Sequence, residues 1–180
     1  MAERFEYYIT GDNAFQSFRE GIWLAQTFTP SVAHKILSVK LLLYRTGSPG
    51  TFTVSIKGTG VTGHPTVAVL CSGTSNGNTL TTNEDGEWRE ITLGAGYNLE
   101  ADTKYAIVCK APYGDSTNKV FWRYDNSGNY PGGNLELSQN YGDTWQDYDG
   151  YDLMFEEWGE PIPVVVSANM AAKMMDAGLL

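Results

Sequence analysis

Six carboxylates crowd one short stretch of this chain: Asp143, Asp147, Asp149, Asp152, Glu156 and Glu157. Two kinds of chemistry could use them. Hard oxygen donors at this density can hold calcium, and two carboxyl groups facing one another can serve as the acid and the base or nucleophile of a glycoside hydrolase. Neither has its expected spacing. A calcium loop wants Asp at its first, third and fifth positions, Gly at the sixth and Glu at the twelfth. That pattern is missing, so the stretch reads first as a solvated acidic rim, with calcium the one cofactor it could hold. Nothing singles out the two carboxylates a hydrolase needs, and no insertion is long enough to build a deep cleft, so the chain reads as non-enzymatic and hydrolysis ranks third among its functions.

Other catalytic chemistries lack their residues. Gly73-Thr-Ser-Asn-Gly77 has the Gly-x-Ser-x-Gly spacing, but it reads as turn chemistry between strands with no helical pattern after it, so it is no nucleophile elbow, and no Gly-rich loop precedes a Lys-Ser or Lys-Thr pair. His34 and His64, the only histidines, share no ligand spacing, and two cysteines cannot make a zinc site alone. Cys71 and Cys109 each lie in an apolar alternating run, where a thiol behaves as a small buried hydrophobe. Free buried thiols are therefore expected, with one inter-strand disulfide as the alternative.

Aromatic rings offer a third possibility, because flat faces flanked by carboxylates and amides suit sugar rings. They crowd the region from Tyr113 to Trp158. Alternation assigns Trp122 and Tyr124 to one strand face, and Leu153 with Phe155 to another, so many of these rings belong to the core. The loop residues Tyr130, Tyr141, Tyr148 and Tyr151 are left as exposed candidates, with Asn140, Asp147 and Asp149 beside them as polar partners for a glycan.

The elements that must position these residues are strands. Phe52, Val54 and Ile56 fall on one face of a period-two run, while Thr53, Ser55 and Lys57 fall on the other. Val39, Leu41 and Leu43 repeat the pattern, as do Val67, Val69 and Cys71, then Tyr105, Ile107 and Cys109, and finally Val120, Trp122 and Tyr124. Turn chemistry such as Gly47-Ser-Pro-Gly50 and Asn83-Glu-Asp-Gly86 bounds each run. About ten strands spaced this way, without helical patterns between them, predict an all-β, antiparallel two-sheet β-sandwich, jelly-roll-like, with a closed barrel as the alternative.

Size and charge narrow the class further. A chain of 180 residues is one domain's worth. A net charge of -9 argues against nucleic acid, whose phosphates need cationic partners. No window is apolar for the roughly 18 residues a membrane span requires, and no secretory signal pattern opens the sequence, so neither membrane insertion nor export by that route is expected.

Three segments are expected. Residues 1–21 pack on or extend the sandwich, 22–159 form the sandwich, and 160–180 form a Pro-containing linker and docking tail. Ser167 can cap a helix over about 168–177, with Met170, Ala171, Met174 and Met175 as its apolar stripe and Leu179 just beyond. So short a helix is not stable alone and must dock. The stiff Glu160-Pro-Ile-Pro163 exit favours docking on another subunit, hence a homo-oligomer, over docking on its own sandwich.

Two resemblances add to this reading. Ser138-Gln-Asn-Tyr-Gly142-Asp-Thr-Trp145 resembles the Asp-box hairpin, with Asn140 in the usual Asp place. The resemblance implies a folding device in which Asn140 tightens the turn and Gly142 takes the left-handed position. More widely, Ala25-Gln-Thr-Phe-Thr29, the run from Leu99 to Val108, Trp122, the box and Asp152-Leu-Met-Phe155 resemble the choice-of-anchor R type of β-sandwich module, over residues 22 to 159. Such modules occur in surface-exposed bacterial and archaeal proteins and in phage virions, and they resemble jelly-roll carbohydrate-binding modules in layout. The resemblance implies a fold rather than a site. The expected function is thus a structural, decoration or fibre-type protein of a phage virion, joined by its tail to itself or to other virion proteins. A carbohydrate-binding module or adhesin, extracellular or at a cell surface, is the alternative, and surface glycans are a partner in either case.

Overall fold

The computed structural model describes residues 2–163. The helix expected over 168–177, and with it Met170, Ala171, Met174, Met175 and Leu179, lies outside them. Thirteen strands follow in order: β1 (Glu3–Tyr8), β2 (Ala14–Phe18), β3 (Trp23–Phe28), β4 (His34–Thr46), β5 (Thr51–Thr59), β6 (Pro65–Asn76), β7 (Glu87–Leu99), β8 (Tyr105–Lys110), β9 (Lys119–Asp125), β10 (Leu135–Ser138), β11 (Gln146–Tyr148), β12 (Asp152–Leu153) and β13 (Phe155–Pro161). They form two antiparallel sheets packed as a sandwich. The first runs β1-β13-β4-β9-β12, with β2 beside β9 and β7 beside β4; the second runs β11-β10-β3-β8-β5-β6.

Alternating apolar residues fill the space between the sheets. Val39, Leu41 and Leu43 from β4, Phe52, Val54 and Ile56 from β5, and Ile107 and Cys109 from β8 are fully buried in one cluster with Val120 and Trp122 from β9. A fully buried aliphatic or aromatic side chain stabilises by about 1.5–3 kcal/mol, so these faces fix which way each strand lies. The largest, Trp122, also satisfies its indole N–H, which donates to the Met154 carbonyl at 2.8 Å. Cys71 and Cys109 are free and buried.

Two register shifts change which residues face inward. In β4 the pairing slips between Ile36 and Ser38, so the core face passes from even-numbered Ile36 to odd-numbered Val39. In β6 the pairing slips where Ile56 opposes Cys71 but Lys57 opposes Val69. Leu70 is the extra residue, and everything before it turns over. Val67 and Val69, expected in the core with Cys71, are consequently 89% and 53% exposed on the outer face of an edge strand. At the corner where β6 meets β7 the sheets come so close that a Cβ on Gly73 would stand 1.9 Å from the Thr92 carbonyl oxygen.

Residues 3–18 supply two strands of the first sheet: β1 pairs with β13, and β2 pairs with β9 from Val120 to Tyr124. Phe18 is fully buried against Phe52 from the opposite sheet.

Candidate functional site

The outer face of the second sheet has a floor of small side chains. Ala25 on β3 pairs with Val108 on β8, which pairs with Ser55 on β5; Ala106 pairs with Lys57. Ala25, Ala106 and Val108 form a second, smaller apolar cluster with Trp23 and Trp145 packed against it. Flanking elements rise higher than this floor and leave a groove of about 370 Å³. The exposed valines of β6, Val67 and Val69, make one wall, and the hairpin of residues 138–146 makes the other. Nearer the turn between β5 and β6, His64 reaches across the sheet to Glu136 on β10, with Nδ1 2.7 Å from a carboxylate oxygen.

The hairpin has the hydrogen bonding that its Ser-x-Asn-x-Gly-x-Thr-Trp sequence requires. The Asn140 Oδ1 accepts from the Thr144 amide at 3.0 Å, its Nδ2 donates to the Thr144 hydroxyl at 2.9 Å, and the Ser138 hydroxyl accepts from the Gly142 amide at 2.9 Å. Tyr141 and Gly142 are both left-handed, at φ 62 and 82. Gly142 has to be glycine on two counts, since a Cβ there would also stand 2.5 Å from the Trp23 ring. Meanwhile the Tyr141 amide donates to the Gly21 carbonyl at 3.1 Å. This rigid frame holds the Tyr141 ring against Gly21 on one side while leaving the residue 60% exposed at the groove.

Two lysines enter the groove from the floor. Lys57 is 7% exposed, and its ammonium lies 5.7 Å from the Trp23 ring centroid. Lys110 lies 5.0 Å from the same centroid. Burial, followed by the charge of Lys110, holds the Lys57 pKa below its ordinary value.

The residues expected to bind a ligand are dispersed. Tyr141 lines the groove, and Asn140 also borders it with its side-chain amide engaged within the turn. Tyr130, Tyr148 and Tyr151, expected as exposed loop rings, are instead half-buried and packed against the core. Tyr130 sits edge-on to Phe155, with its hydroxyl donating to Glu6 at 3.1 Å. Tyr151 stacks on Tyr124 at 5.6 Å, and Tyr148 lies 5.8 Å from Tyr151. Tyr148 moreover ends strand β11 rather than standing in a loop, and large rings gain more by covering apolar surface than by standing in water. What remains there is a crevice of about 50 Å³ between Tyr148, Tyr151 and Leu135. Asp147 accepts from the Asn134 amide at 3.2 Å, and Asp149 is exposed.

The acidic stretch is also divided. Asp152 is buried, accepting from Gln26 at 3.1 Å and from the Tyr130 amide at 2.9 Å. Glu156 pairs with Arg4, whereas Glu157 is buried between the sheets against His34. Among the described residues, no three His, Cys, Asp or Glu side chains converge on a point that could hold a metal.

Sequence reasoning placed Lys57 on an outward strand face but had no signal for its neighbours. Trp23, Lys57, Val69, Lys110 and Tyr141 come from five separate segments, and only the sheet order β3-β8-β5-β6 brings them together. No protein-family model matches this chain, and no curated protein matches it.

Proposed function

We propose that this chain is a non-enzymatic glycan-binding module, a jelly-roll-like sandwich of the choice-of-anchor R type, with the groove on its second sheet as the binding surface. The observation that carries the reading is the Tyr141 ring, held at the groove by a hydrogen-bonded hairpin and still 60% exposed. A ring that is already ordered loses little entropy when a sugar stacks on it. Val67 and Val69 offer apolar contact to the C–H face of a pyranose, and Ser55, Lys57, Lys110 and Asp143 supply polar groups for its hydroxyls.

A glycan array probed with the full chain tests this. Tyr141→Ala should lose at least roughly tenfold in affinity, because one well-packed aromatic contact contributes about 1–3 kcal/mol at a binding surface. Tyr148→Ala, which alters the small crevice instead, should retain binding. A wild-type chain that binds no glycan, or a Tyr141→Ala variant that binds as well as wild type, would remove the proposal.

The virion reading rests on different residues. The apolar stripe in the sequence of 168–177 and the proline-bounded exit from β13, which ends at Pro161, favour attachment to a second copy or to another particle protein. It is compatible with glycan binding, since a particle decoration can also hold surface glycans. Mass spectrometry of purified particles together with light scattering of the chain lacking residues 161–180 tests it. Absence from particles and an unchanged assembly state would both count against it.

A further inference from the structure

We infer that the groove selects acidic saccharides, seating a carboxylate or sulfate of the sugar between Lys57 and Lys110; this rests on the glycan-binding reading and narrows it to a ligand class.

Lys57 is an exception among the charged side chains buried in the fold: its stem is buried, and its ammonium, which keeps an opening to solvent, has no acidic partner. The one fully buried side-chain nitrogen without a partner among the described residues is Arg123 Nε. Buried ionisable groups in folded proteins are paired or hydrogen-bonded, because an isolated charge out of water is costly. The buried carboxylates and the buried histidine obey this. His34 faces Glu157, Glu136 faces His64, Asp125 accepts from Tyr8 and Ser127, and Asp152 accepts from Gln26 and the Tyr130 amide. Lys57 is the one buried Lys or Arg among the described residues. It takes part in none of their six ion pairs, and its nearest compensation is the Trp23 ring face at 5.7 Å.

A second cation makes matters worse. Lys110 shares that ring at 5.0 Å and is likewise outside every ion pair. Two like charges beside one aromatic ring repel, and the net charge of -9 shows that acidic residues were not scarce. Asp143 lines the same groove yet lies beyond ion-pair distance of either ammonium. The arrangement is what an anion seat looks like before its anion arrives: donors pre-positioned and partly desolvated, with the opposite charge supplied by the ligand. Tyr141 and the two valines border the same groove, so a sugar stacked there can present an acidic substituent to the lysines.

The experiment uses the full chain on an array carrying neutral, uronate-containing and sulfated glycans, then titration calorimetry of the strongest ligand at low and high salt. Acidic glycans should dominate, with affinity falling as salt rises. Lys57→Met and Lys110→Met should each weaken them roughly tenfold or more, the loss expected for one charge-assisted hydrogen bond. The uronate and sulfate arms decide which anion is held. Neutral glycans bound as tightly as acidic ones would overturn the anion seat while leaving the glycan reading in place, and a chain that binds no glycan would overturn both. Acidic glycans held equally well by the doubly substituted chain would overturn the assignment to these lysines. Circular dichroism of each variant separates lost binding from lost folding.

Discussion

His34 and Glu157 form an ion pair with no solvent exposure on either side chain, and breaking it makes a quantitative prediction. The Val32 carbonyl, 2.8 Å from Nδ1, can only accept, which places a proton there; Nε2 lies 2.8 Å from both carboxylate oxygens. The pair therefore holds one shared proton between Nε2 and Glu157. Losing it would set a carboxylate against an imidazole lone pair. Both pKa values accordingly lie above their ordinary ones. For His34 burial opposes the rise, and hydrogen bonding to and charge on Glu157 outweigh it; for Glu157 burial drives the rise, with His34 pulling back. Glu157→Leu leaves a buried N–H without an acceptor, and His34→Phe leaves a buried carboxyl without its ring donor. Each should cost about 3–5 kcal/mol, which at ~2–4 °C per kcal/mol for a domain of this length lowers the Tm by about 6–20 °C. The double variant should recover most of this. The phenylalanine ring introduced by His34→Phe would keep the stack on Phe5, where the native rings lie 3.8 Å apart between centroids and 2° from parallel, and a buried pair replaced by apolar groups is often neutral. Denaturant unfolding of the four proteins closes the cycle. Because both folded pKa values are raised, the Glu157 part of the contribution is complete below its ordinary value of 4.5 and the His34 part below 6.5, and each is lost as pH rises through its own raised folded value. The double variant should therefore gain on wild type as the solution becomes alkaline. Additive single-variant losses, or a wild type that gains on the double variant with rising pH, would refute the shared-proton account.

Lys57→Met should raise stability by about 1 kcal/mol, since it removes a partly desolvated charge that has no acidic partner while keeping the stem's packing. With its folded pKa depressed, that advantage should shrink as pH climbs towards 10.5, measurable as Tm against pH. Gly142→Ala should lower stability by about 2 kcal/mol or more, combining left-handed strain at φ 82 with a Cβ 2.5 Å from Trp23, and urea unfolding reads it directly. Asn140→Ala should cost about 1–2 kcal/mol through the turn and weaken glycan binding only through Tyr141, whereas Asn140→Asp should restore both. Burial pushes the Cys71 thiol up to about 11 and Cys109 well above its ordinary value. Neither should react with a thiol reagent at neutral pH until the chain is denatured, and rapid native labelling would contradict the burial.

Local chemistry was sufficient for the strand faces and the hairpin. Alternation in β4, β5, β8 and β9 names the core residues because a strand exposes successive side chains on opposite sides, whatever lies beyond it. The box at 138–145 is legible for the same reason, since its hydrogen bonds close within the segment. Where the period is interrupted, sequence alone misleads. One extra residue at Leu70 reverses Val67 and Val69, and a bulge is defined by the partner strand rather than by the bulged one.

The groove belongs to tertiary structure altogether. Tyrosines between apolar runs look alike in sequence, yet Tyr130, Tyr148 and Tyr151 pack against the core while Tyr141 stands exposed over the outer face of the second sheet. Likewise, composition and spacing establish an acidic all-β chain of alternating strands, but they cannot tell which outward positions become neighbours. Lys57 and Lys110 meet over Trp23 because β3, β8 and β5 are adjacent, and that adjacency is set by long-range backbone pairing that no single stretch of the chain encodes.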